Sequence, residues 1–304
     1  MAHADDAQAG PDARLERLIR RVAPGSRLRR AWPLQGGVSA QTTALEIERP
    51  DGGIETLVVR RHGKGDLARN PNVAADELAL LQVLHAAGFA VPRPRHVAPA
   101  GEIFSTPCVV LDHVEGRTEL APRDLDAYLA RVATWLAELH AFATDRVPFL
   151  RRTEASAIAR EVDPSALPGA AAATLRRMPP PVQVNRPVLL HGDFWPGNIL
   201  WRDGRLVAVI DWEDASIGDP LLDLAVSRLE LLWAFGADAM RRFTDLYGGL
   251  AAVDLGNLAQ WDLYVAAGAA GDLANWGLDA AVEQAMREQL AWFADRACAR
   301  LPPG

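Results

Sequence analysis

Leu189-Leu190-His191-Gly192-Asp193-Phe194-Trp195-Pro196-Gly197-Asn198-Ile199-Leu200, followed at once by Val207-Ala208-Val209-Ile210-Asp211-Trp212, is the stretch on which the reading of this chain turns. Two apolar runs bracket a loop that carries a carboxylate and, five residues on, a carboxamide. Asp203-Gly204 then predicts a tight turn that returns the chain to a second carboxylate, Asp211, at the end of a strand. These residue types in this order suit phosphoryl transfer to a hydroxyl. Asp193 would take or orient the acceptor proton, while Asn198 and Asp211 would hold a magnesium ion bridging the phosphates of ATP. A hard cation that keeps most of its waters needs little more from a protein than one carboxylate and one carbonyl oxygen.

The pattern H-G-D-x-x-x-x-N resembles the catalytic loop H-R-D-x-x-x-x-N of protein kinases, with Ile210-Asp211-Trp212 where those enzymes carry D-F-G. The continuation Ile210-Asp211-Trp212-Glu213-Asp214-Ala215-Ser216-Ile217-Gly218-Asp219-Pro220-Leu221-Leu222-Asp223-Leu224-Ala225 resembles the aminoglycoside phosphotransferase and choline kinase-like group. That resemblance implies an α+β, two-lobed protein kinase-like fold. It would have a small mixed-β N-lobe with one long helix and a larger, mainly helical C-lobe. The expected organisation is a disordered leader over residues 1–12, a nucleotide-binding lobe over 13–115, and a helical lobe with the catalytic loop and acceptor site over 116–304.

Composition agrees with an enzyme of this kind. The 304 residues are 49% hydrophobic, enough for two lobes with cores of their own. No apolar run approaches the ~18 residues that span a bilayer, and Met1 to Gly10 shows no secretory signal. Two distant cysteines, Cys108 and Cys298, have no metal-ligand spacing and read as small buried hydrophobes of a reducing compartment. With ATP chemistry, these features point to the cytoplasm. The net charge of −7 falls entirely on residues 117–304, since residues 1–116 hold 14 acidic and 14 basic side chains. An acidic second half suits a small cationic acceptor; it does not suit nucleic acid, which needs a basic stripe.

Along the N-terminal half, Ala13–Val22 has helical spacing. Leu34 to Thr43 then joins two strands through Gly36-Gly37 and Ser39. A glycine pair there lets backbone N–H groups approach phosphate without Cβ obstruction. The hairpin Thr43–Arg61 ends in Val58-Val59-Arg60-Arg61, where kinases place their phosphate-binding lysine. Lys64, the sole lysine, falls beyond the strand. Arg60 shares a strand face with Val58 and is the expected phosphate cation, with Arg61 as the competitor. Asn70–Gly88 reads as one helix, and Glu77 on it would pair with Arg60. Cys108–Leu111 followed by Asp112-His113-Val114 resembles a kinase hinge, where the backbone near Asp112 and Val114 would meet adenine.

In the second half, Pro122–Phe142 is an amphipathic helix with His140 at its end. Only Glu213–Gly218 separates Asp211 from the helix that opens with Asp219 as cap and Pro220 in its first turn. That gap is too short for the activation segment of a peptide kinase. Asp223 reads as support for the catalytic loop. Glu230, Asp262 and Asp272 are the candidates for facing the acceptor. The expected reaction moves the γ-phosphate of ATP to a hydroxyl of a small molecule, an aminoglycoside-like one first. A kinase for an amino alcohol, a sugar or a macrolide is the alternative, and an idle nucleotide-binding module is a more distant one.

Overall fold

The computed structural model describes residues 11–34 and 40–301. Gly36, Gly37 and Ser39, the expected phosphate loop, lie outside the described residues. The chain forms two compact units. One runs through Gly116 and takes in Arg202–Glu213; the other comprises Arg117–Trp201 and Asp214–Gly304.

In the first unit, α1 (Pro11–Val22) precedes β1 (Arg27–Pro33), β2 (Gln41–Glu48) and β3 (Ile54–Arg61). Then come α2 (Lys64–Arg69), α3 (Val73–Ala86), β4 (Pro94–Ala98) and β5 (Cys108–Asp112). The five strands form an antiparallel sheet in the order β1-β2-β3-β5-β4. Period-two alternation gives each face of β3 its own character. Leu57 and Val59 join Leu18, Ile19, Leu45, Ile47 and Val110 in an apolar core under α1. Arg60 points to the opposite face, toward the buried Glu77 of α3.

In the second unit, β6 (Arg117–Thr118) is followed by α4 (Leu125–His140), α5 (Ala155–Glu161), α6 (Gly169–Arg177) and β7 (Val188–Leu190). β8 (Ile199–Arg202) ends at the division between the units, and β9 (Arg205–Val209) belongs to the first. After β10 (Ser216–Gly218) come α7 (Pro220–Phe235), α8 (Ala237–Leu250), α9 (Leu258–Asp272) and α10 (Ala280–Cys298). β10 pairs with β7. Leu229, Leu232, Leu263, Ala266, Leu290 and Phe293 sit in a core built by α6, α7, α9 and α10. No helix among the described residues is long and apolar enough to cross a membrane.

The expected helices at Ala13–Val22, Asn70–Gly88 and Pro122–Phe142 are present in slightly different spans, and Asp219 caps α7 by accepting the Leu221 N–H at 3.0 Å. Two differences concern the site. Residues 202–213, assigned from sequence to the helical lobe, group with the sheet; the Val209 N–H donates to the Ala90 carbonyl at 2.8 Å. Lys64–Arg69, to which the sequence reading assigned no element, is helical, with the Gly63 N–H donating to the Asp66 carboxylate at 2.9 Å.

Candidate active site

Each unit carries a polar cluster around the expected site residues, and the two are built differently. In the first, Arg60 and His62 share the inner face of β3 and its continuation, two residues apart. Arg60 is 6% exposed and Glu77 is 2% exposed; at that depth an unpaired charge costs several kcal/mol, about 3–5. Neither is unpaired. Arg60 Nη1 donates to Glu77 Oε1 at 3.0 Å, and Nη2 donates to Glu213 Oε2 at 2.6 Å and to Asp211 Oδ1. His62 Nε2 lies 3.0 Å from Glu77 Oε2, and its Nδ1 lies 3.7 Å from Glu213 Oε2.

The electrostatics follow from this packing. Burial opposes the Arg60 charge, but Glu77, Asp211 and Glu213 outweigh it and raise its pKa. Burial likewise opposes a charged His62, yet the adjoining carboxylates of Glu213 and Glu77 lift its pKa to about 9. Glu77 is pushed up by burial and pulled further down by Arg60 and His62, so it stays ionised. Asp211 holds this place with φ of 72°. A non-glycine residue in left-handed backbone is uncommon and persists only where its surroundings enforce it.

The second cluster positions the loop that follows β7. Asp223 on α7 is fully buried and accepts the backbone N–H groups of His191 at 2.7 Å and Gly192 at 2.8 Å. Its Oδ2 lies 3.2 Å from His140 Nε2, and the Tyr247 hydroxyl is 2.6 Å from His140 Nδ1. In the Nε2–H tautomer, His140 donates to the carboxylate and accepts the Tyr247 O–H. Burial pushes the Asp223 pKa up, but the His140 hydrogen bond, neighbouring imidazoles and the His191 N–H bring it below the ordinary value.

Gly192 turns with φ of 89°, and a Cβ there would stand 2.5 Å from the Asp214 carbonyl oxygen, so only glycine fits. The Asp193 N–H then donates to His191 Nδ1 at 3.2 Å. Phe194 is buried, stacks on Trp135 of α4 with centroids 5.3 Å apart, and its carbonyl accepts the Ser227 hydroxyl at 2.8 Å. Asn198 closes the loop. Its amide NH2 donates to the Asp193 carbonyl and to Asp193 Oδ2, each at 2.9 Å. A carboxylate held at the mouth of a loop by one amide and an anchored backbone is a preorganised group for orienting a hydroxyl.

Residues 31–288 match the family model described as "Phosphotransferase enzyme family". The chain belongs to this family. As a phosphotransferase-family protein it has curated relatives named acyl-CoA dehydrogenase family member 11. The chicken protein (Gallus gallus) is 30% identical over 248 residues, covering 72% of this chain and 31% of the relative. The human protein is 29% identical over 205 residues, covering 60% and 26%. The phosphotransferase-family chain thus spans about a third of the length of these relatives or less. Among solved structures, the GDP complex of aminoglycoside 2'-phosphotransferase-IIIa superposes with a TM-score of 0.65 at 20% identity, covering 94% of this chain and 99% of that one. The fold is therefore the protein kinase-like fold of these enzymes.

The expected site residues are placed as follows. Asp193 and Asn198 lie in the loop of the second unit, in hydrogen-bond contact. Arg60, Glu77 and Asp211 lie together in the first unit. The competing Arg61 faces the other way, over the Phe104 ring with its guanidinium carbon 4.4 Å from the centroid, and donates to Gln41 at 2.9 Å. At the expected hinge, the Asp112 N–H donates to Arg93 O at 2.9 Å and the His113 N–H to Thr56 O at 3.2 Å, so those two amides are spent within the sheet. Of the acceptor candidates, Asp262 is a structural partner: buried, it takes both Arg228 nitrogens Nε and Nη2 at 3.0 and 2.9 Å. Glu230 differs. Burial, and then the charge of Asp193, push its pKa up to about 8.

His62 and Glu213 escaped the sequence reading as members of the cluster. The signal available for His62 was strand parity with Arg60. For Glu213 it was the two-residue spacing from Asp211.

Proposed function

We propose that this chain is an ATP-dependent kinase for a hydroxyl of a small molecule. Asp193 orients the acceptor hydroxyl, and Arg60, fixed by Glu77, neutralises phosphate charge. Asn198 and Asp211 would be the residues that hold a magnesium ion. Both offer hard oxygen donors, and because the Asn198 NH2 is spent on Asp193, its carbonyl oxygen is the end presented to a cation. Magnesium, when bound, supplies charge neutralisation on the phosphates. Asp193 makes no bond to phosphorus; it holds the acceptor oxygen in line and accepts its proton as that oxygen bonds to the γ-phosphorus and the γ-phosphorus bond to the departing ADP oxygen breaks. From the sequence reading, Gly36, Gly37 and Ser39, outside the described residues, would bind the phosphates, and the backbone near Asp112–Val114 would receive adenine.

The observation that carries the reading is the Asp193–Asn198 pairing on a loop whose backbone is pinned by the buried Asp223. It is supported by membership of a phosphotransferase family. A cationic, aminoglycoside-like acceptor is favoured by the acidic surplus of residues 117–304. A macrolide 2'-phosphotransferase shares the fold (TM-score 0.63, 19% identity, 92% of this chain and 96% of that one), and fold alone does not select the acceptor.

The names of the relatives at about 30% identity favour a second reading, in which the hydroxyl is carried by an acyl-CoA thioester. An ATP-consumption assay over aminoglycosides, macrolides, choline, sugar alcohols and hydroxyacyl-CoA thioesters separates the two. Turnover with aminoglycosides alone supports the first reading and turnover with the thioesters alone the second. Turnover with none of the panel contradicts both.

A further inference from the structure

We propose that His62 is a positioning residue of the nucleotide clamp. As a second buried cation, it balances Glu77 and Glu213 so that Arg60 is able to turn from protein carboxylates to phosphate. This inference rests on the kinase reading above.

The argument is one of charge and geometry. Three carboxylates, Glu77, Asp211 and Glu213, converge on the single guanidinium of Arg60. Its Nη2 carries two hydrogens, and Asp211 and Glu213 take both. An arginine so occupied has nothing on that nitrogen to offer a phosphate. His62 sits against the same carboxylates with a side chain that is 0% exposed, one ring nitrogen 3.0 Å from Glu77 and the other 3.7 Å from Glu213. A neutral imidazole would turn a lone pair toward one of these carboxylates; only the imidazolium presents an N–H on both sides of the ring. Its backbone is fixed as well, by the His62 N–H to the Pro107 carbonyl at 3.3 Å.

The neighbouring Asp66 is satisfied separately by the Gly63 N–H and by Arg69 at 3.0 Å, so it does not draw His62 away. The clamp therefore contains two cations where a kinase lysine would supply one. When phosphate arrives, Glu213 can pass from Arg60 Nη2 to His62 Nδ1 over a gap of 3.7 Å, without leaving a buried charge bare.

The test is a double-variant cycle on the full chain, read by calorimetric titration with MgADP and by steady-state KM for MgATP. His62→Gln keeps a polar N–H group of similar reach and removes the charge. It should weaken MgADP binding about tenfold and raise KM for MgATP more than it lowers kcat. Adding Glu213→Gln should recover most of that loss, because the carboxylate that His62 balances is then gone. Glu213→Gln alone should bind MgADP at least as tightly as the parent, which gives a second readout if His62→Gln folds poorly. Unchanged MgADP affinity in His62→Gln, or losses in the two variants that add, would overturn the role of His62 while leaving the kinase reading intact. Failure of the parent protein to bind MgADP at all would remove both.

Discussion

The two polar clusters solve the same problem, keeping buried carboxylates ionised, by opposite means. Around Arg60 the carboxylates are balanced by side-chain cations, three anions against two. Around Asp223 one carboxylate is balanced by backbone N–H groups and a histidine locked by Tyr247. Cations on side chains can exchange partners, which a site handling phosphate requires. Backbone donors cannot move without moving the loop, which is what a group that must aim a hydroxyl requires. Removing a carboxylate should therefore cost activity in the first cluster and stability in the second.

The largest contrast is expected at Asp211. Asp211→Ala should cut turnover by about 10³-fold or more, the scale of losing a charge-stabilising group in phosphoryl transfer. It should leave thermal stability within about 1 kcal/mol, because it removes one anion from an anion-rich cluster. A fall of several degrees in Tm would blur the distinction between the clusters. Asp223→Ala comes next, with the opposite signature. Two backbone N–H groups and His140 lose their acceptor, a loss of about 3–5 kcal/mol, visible as a midpoint shift in denaturant unfolding. An unchanged midpoint would mean the loop is held by something else.

A smaller effect is expected from Gly192→Ala. Left-handed backbone and the Asp214 carbonyl at 2.5 Å from the added Cβ should together cost about 2–3 kcal/mol, with activity falling alongside stability. The smallest effect concerns pH. The folded-state pKa of His62, about 9, exceeds its ordinary 6.5. Its contribution to stability is thus fully present below about pH 6.5 and is lost as pH rises through about 9. The Tm of the parent should decline across that window more steeply than that of His62→Gln, and parallel curves would contradict the charged imidazole.

Much of this was legible in the sequence because its signals are local. Asp193 and Asn198 sit five residues apart in a loop bounded by apolar strands, and Asp203-Gly204, with φ of 51° and 73°, forms the turn that its residue types demand. Strand parity put Arg60 on the inner face, and helix position put Glu77 within its reach. What stayed hidden depends on long-range packing. Asp262 looked available until its buried partner Arg228 was found 34 positions away. Lys64–Arg69 offered too short a pattern, with glycine before it at 63 and within it at 65, to read as a helix. Nothing in the periodicity of residues 202–213 says that this segment packs beside Ala90, and that packing is what brings Asp211 and Glu213 to Arg60.

The most direct test of the central claim follows transfer of radiolabel from γ-labelled ATP to an acceptor identified in the panel, in a single turnover, for the parent and for Asp193→Ala. The account predicts that the variant binds MgADP with the parent's affinity and transfers label about 10³-fold more slowly or worse. Transfer at the parent's rate would show that Asp193 does not orient the acceptor, and the proposed reaction would lose its central residue.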